Sequence, residues 1–162
     1  MPLPTQPLRD EHRDLLPLLE QVLTAANLAE EAGSALDGAY EFLSKHLLPH
    51  AIAEEEALYP AVARAMGSPD ATRTMEVDHA EVKRLVDELG RLRENLIGRG
   101  RPAPDQVREL HRVLYGLYTL VKVHFAKEEE VYLPLLDQSL STAEAAEMFE
   151  AMEAAAARAK RD

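Results

Sequence analysis

The chain has 162 residues, enough for one domain with a sizeable core, and its 29 acidic and 18 basic residues give a formal net charge of −11. That balance speaks against a nucleic-acid partner, because phosphates select Lys and Arg, and it favours solubility. Cysteine is absent, which removes disulfides, thiolate chemistry and iron–sulfur ligation, while few aromatics and few glycines favour helix.

The opening MPLPTQPLRDEH lacks a basic stretch followed by an apolar one, and no apolar run approaches about 18 residues. A cytoplasmic protein with no membrane association is expected. Breaker clusters near Gly33-Ser34, Gly67-Ser68-Pro69, Gly98 to Pro102 and Ser139 to Thr142 then divide the chain. The segments between them carry apolar residues at three- and four-residue spacing. The pattern predicts an all-α fold: an up-down-up-down four-helix bundle over about 5–138, built from two αα-hairpins. A shorter Ala- and Glu-rich fifth helix follows at about 142–160, and residues 1–162 read as a single domain. Ser34 with Asp37, Ser68 before Pro69, and Ser141 with Glu144 read as helix starts. Pro17 and Pro49 lie inside helices 1 and 2, where kinks are expected.

Helix 1 places Leu8, His12, Leu15, Leu19 and Val22 on one stripe. Helix 2 places Leu36, Tyr40, Leu43, Leu47, His50, Glu54, Leu58 and Ala61 on another. A shift of 67 residues carries His12 onto His79 in helix 3, within Met75, Val82, Val86 and Leu89. A shift of 74 carries His50 and Glu54 onto His124 and Glu128 in helix 4. In both copies the stretch reads alike, HAIAEEEALYP and HFAKEEEVYLP. Residues four apart lie about 40° round a helix, so each His-x-x-x-Glu pair faces the bundle interior.

Counting along the helices from the loop centres brings His12, His50, Glu54, His79, His124 and Glu128 to one layer. That layer lies nearer the end holding the N-terminus and the loop at 68. Burying an unpaired carboxylate or imidazole costs on the order of several kcal/mol, and no Lys or Arg occupies the stripes at this level apart from Lys83, one turn beyond His79. Imidazole with carboxylate is a ligand set for first-row metals, and two glutamates could bridge two ions.

The flanking Glu55, Glu56, Glu129 and Glu130 point about 100° or more away and read as solvated. His46, one turn before His50, reads as a flanking histidine or an extra ligand. Tyr132, one turn past Glu128, is either core packing or a phenol that bonds or ligates the site. Glu76 and His79 form the one E-x-x-H in the chain, whereas ferritin-type di-iron bundles need that spacing on two helices.

This pattern of His, His-x-x-x-Glu, His, His-x-x-x-Glu resembles the hemerythrin-like, HHE cation-binding, family across about residues 5–138. The resemblance implies a non-haem di-iron centre held by His12, His50, Glu54, His79, His124 and Glu128. Its cofactor would be two iron ions, oxo-bridged (Fe–O–Fe) or carboxylate-bridged, with zinc or manganese as the alternative. The implied function is binding or detoxification of dioxygen, nitric oxide or peroxide. An enzyme would turn over peroxide or nitric oxide. The alternative is a non-enzymatic oxygen, iron or redox sensor or iron donor acting through a partner. Oxygen-carrying members have a second histidine one turn after the helix-3 ligand, where this chain has Lys83, so reversible oxygen storage is not implied. Iron–sulfur-repair relatives usually carry an extra Cys-bearing N-terminal domain, so a role in such repair is not expected.

Overall fold

The apolar stripes read from the sequence become the inner faces of five helices in a computed structural model that describes all 162 residues. Helix α1 spans Gln6–Asn27. Helix α2 runs unbroken through Gly33–Phe42, Leu43–Leu47, Leu48–Ala53, Glu54–Leu58 and Tyr59–Met66. Helix α3 spans Arg73–Leu96. Helix α4 runs through Pro104–Lys127, Glu128–Tyr132 and Leu133–Ser139, and α5 spans Thr142–Arg161. Each of α1 to α4 packs against its chain neighbours, and α4 closes the ring on α1. No helix is long and apolar enough to cross a membrane.

The starts came out unevenly. Ser141 caps α5 as the sequence predicts: its hydroxyl accepts from Glu144 N–H while Glu144 accepts from Ser141 N–H. Ser34 caps nothing, because α2 already begins at Gly33. Ser68 and Pro69 belong to a turn, and α3 begins only at Arg73.

Prolines act differently from simple kinks. Three stretches, Leu43–Leu47, Glu54–Leu58 and Glu128–Tyr132, are single π-helical turns. A proline stands two residues after each: Pro49, Pro60 and Pro134. Its ring would strike the carbonyl four residues back in an α-helix, and a wider turn relieves that contact. The helices therefore pass through Pro60 and Pro134 unbroken. Pro17 is exposed and interrupts nothing, since the carbonyl it crowds faces water.

The buried residues fall into two apolar clusters. The larger holds Leu15, Leu19, Leu43, Leu47, Val82, Leu114, Leu117, Val121 and their neighbours. The smaller holds Leu8, Leu58, Tyr59, Met75, Tyr132, Leu133 and Leu136, and α5 completes it with Met148, Met152 and Ala155. Helix α5 thus lies along α2 over Leu48–Leu58. Between the two clusters every bundle helix contributes one polar turn.

Candidate metal centre

That turn carries His12, His50, Glu54, His79, His124 and Glu128, and all six are buried, the two glutamates completely. The six residues divide into two sets of four donors that share both carboxylates. On one side are His12 and His50. His50 Nε2 lies 2.7 Å from Glu54 Oε1, and His12 Nε2 lies 3.1 Å from Glu128 Oε2 and 3.6 Å from Glu54 Oε1. On the other side are His79 and His124. His79 Nε2 lies 3.1 Å from Glu54 Oε2, and His124 Nε2 lies 2.9 Å from Glu128 Oε1. Each glutamate therefore gives one oxygen to each side, the disposition of a bridging carboxylate.

The imidazoles are aimed by a second ring of carboxylates. His12 Nδ1 meets Glu129 at 2.8 Å and His79 Nδ1 meets Glu55 at 2.8 Å. His50 Nδ1 meets Glu11 at 3.0 Å and His124 Nδ1 meets Asp78 at 2.9 Å. An Nδ1–H donated to a carboxylate leaves the Nε2 lone pair pointing inward, the state a metal-ligating histidine needs. The ring is two-fold in pattern, because the shifts of 67 and 74 carry Glu11 onto Asp78 and Glu55 onto Glu129. Glu55 and Glu129 are thus not simply solvated: each leaves its own helix face to reach a histidine on the next helix. Arg9 steadies Glu129, and Lys127 is paired with Asp78.

Charges in the layer are strongly coupled. Burial alone would lower the His12 pKa, but the contacts with Glu128 and Glu54 carry it up to about 9. His124 is carried up to about 10 against the same burial cost, by the same two glutamates. His50 is held well above its ordinary value by Glu54 and Glu11, again against desolvation. Burial works to raise Glu54, yet His50, His12 and His124 hold it well below the usual carboxylate range. The layer is built to be neutralised by positive charge.

Whether a metal would fit can be judged from the donor atoms. His12 Nε2, His50 Nε2, Glu54 Oε1 and Glu128 Oε2 are buried without a well-directed hydrogen bond. These four orphaned atoms are the inward-facing donors of the His12 side. Buried polar atoms are rarely left unpaired, and four converging ones suit a cation.

The other side contains a residue the sequence reading passed over. The Tyr59 hydroxyl lies 2.8 Å from Glu128 Oε1, 3.1 Å from both His79 Nε2 and His124 Nε2, and 3.4 Å from Glu54 Oε2. Burial and the two nearby carboxylates hold its phenol protonated far above the usual range. The π turn puts it there, because Tyr59 N–H bonds to Glu54 C=O, five residues back. Tyr132, the residue singled out from a regular helical period, instead donates to Ala71 C=O at 3.2 Å. His46 is exposed and outside both donor sets. Pro60 was the available signal, since its ring forbids the narrow turn that the period assumed.

The remaining neighbours also break the two-fold pattern. Phe125 stacks on His12, with ring centroids 4.5 Å apart, while its counterpart in α2 is Ala51. A cleft of about 390 Å³, lined by Arg9, Arg13, Lys122, Phe125 and Glu129 among others, reaches His12.

Comparison with protein families matches the hemerythrin HHE cation binding domain over residues 3–136, and again over 70–161. The second match starts at the second hairpin, as a chain built from a duplicated hairpin allows. Comparison with curated proteins and with solved structures gave no match.

Proposed function

Because the chain belongs to the hemerythrin HHE cation-binding family, we propose that its polar layer holds two iron ions and binds or detoxifies small oxidants. The observation that carries this reading is the pair of four-donor sets sharing Glu54 and Glu128. His12 and His50 would hold one ion, His79 and His124 the other, with the two glutamates across both. When bound, such ions supply redox chemistry and affinity for dioxygen, nitric oxide or peroxide. The protein's part is to fix four imidazoles through Glu11, Glu55, Asp78 and Glu129, and to keep the carboxylates dry. The cleft at His12 supports access from that side, and Phe125 bounds it.

A second reading, a sensor or iron donor acting through a partner, is favoured by one contact. Helix α5 packs on the stretch of α2 that carries His50 and Glu54, so a change of metal state there would bear on the packing of α5. Peroxide and nitric oxide consumption by iron-loaded protein separates the two. Multiple turnovers support the enzyme; stoichiometric binding alone supports the sensor or donor.

A further inference from the structure

The two sides of the layer are chemically unequal, and Tyr59 makes them so. Its hydroxyl touches all four donors of the His79 side and none of the four orphaned atoms of the His12 side. A phenol has one proton to donate. It can satisfy Glu128, its closest contact, but not a second carboxylate and two imidazole nitrogens as well. Those nitrogens are only 2.9 Å apart, with their Nδ1 atoms already engaged by Glu55 and Asp78. Hydrogen bonding, with an imidazole N–H donating where the phenol does not, pairs these atoms in the metal-free chain but does not set their spacing.

Coordination does. Around an octahedral ion with bonds of about 2.1 Å, neighbouring ligands lie about 3.0 Å apart. Edges of the four-donor set measure 3.1 Å for Glu54–His79, 2.9 Å for His79–His124 and 2.9 Å for His124–Glu128. The Glu54–His124 separation is the longest of these at 3.7 Å, short of the about 4.2 Å of a full diagonal. The phenolic oxygen, between 2.8 and 3.4 Å from every member, stands where a fifth ligand above that square belongs.

Resting on the metal reading above, the geometry points to Tyr59 as a fifth protein ligand of the ion on the His79 side. Coordination replaces the phenolic O–H bond by an O–metal bond, and the proton leaves to solvent. The His12 side has no such oxygen, because the counterpart of Tyr59 is Leu133. Exogenous ligands are thereby confined to the His12 side, where the cleft arrives.

The test is to load the full chain with ferric iron, measure iron per chain, and record visible absorption and resonance Raman spectra. A phenolate-to-iron charge-transfer band with tyrosinate ring modes is expected. Tyr59→Phe should abolish it while retaining iron, and Tyr132→Phe should leave it unchanged. Iron-loaded wild-type protein without the band overturns the assignment of Tyr59 while leaving the metal site standing, and so does a band that survives Tyr59→Phe. Wild-type protein that takes up no iron overturns both.

Discussion

His12 Nδ1 lies 2.8 Å from Glu129 Oε1, and Arg9 holds the other oxygen of Glu129 at 2.9 Å. The carboxylate thus reaches from α4 to orient an imidazole on α1. Glu129→Gln keeps an acceptor there but removes its charge, making His12 a weaker and looser donor. Metal affinity should fall about 10–100-fold, while the melting temperature of the metal-free protein barely moves. A competition titration against a chelator measures it, and unchanged affinity would show that Glu129 does not position His12.

Acidity should act on the metal-free protein in an unusual direction. His12 and His124 are raised from 6.5 to about 9 and about 10. A raised histidine contributes stability that is complete below the unfolded value and is lost as pH climbs through the folded one. Chelator-treated protein should therefore lose thermal stability between pH 6.5 and about 10. Metal uptake should improve over the same range, because ligation displaces those protons. Differential scanning calorimetry across this window checks the first claim; a flat or rising melting temperature would contradict it.

Phe125 stacks on His12 and is buried in the larger core cluster. Truncation to alanine should cost about 3–5 kcal/mol in urea unfolding. It should also widen the way to His12, so nitric oxide or azide should associate faster with the iron-loaded variant by stopped flow. Slower or unchanged association would place the route elsewhere.

Helix α5 closes the smaller cluster through Met148, Met152 and Ala155. Met152→Ala should cost about 2–5 kcal/mol. Because α5 rests on the stretch bearing His50 and Glu54, metal loading should slow amide exchange along Thr142–Arg161. Exchange rates indifferent to metal would remove the structural support for a sensor.

The six-residue layer was legible because a strict 3.6-residue period and two internal shifts put His and Glu on apolar stripes. The aiming carboxylates were less so. Glu11, Glu55, Asp78 and Glu129 each serve a histidine on another helix, and a helix-by-helix reading places them on outer faces. Tyr59 was hidden by local geometry. One π turn advances the helix by a residue, exchanging the expected Leu58 and Tyr132 level for Tyr59 and Leu133. The prolines that force those turns were visible, but Pro49 was read as a kink and Pro60 and Pro134 were given no part in the helix geometry.

The proposed pair of metal ions would be held in one buried layer through two shared carboxylates. Elemental analysis of iron-loaded protein, alongside Glu54→Ala and Glu128→Ala, tests it most directly. About two irons per wild-type chain are expected, with loss of both ions in each variant, since each glutamate belongs to both donor sets. Wild-type protein without metal, or either variant retaining both irons, would contradict it.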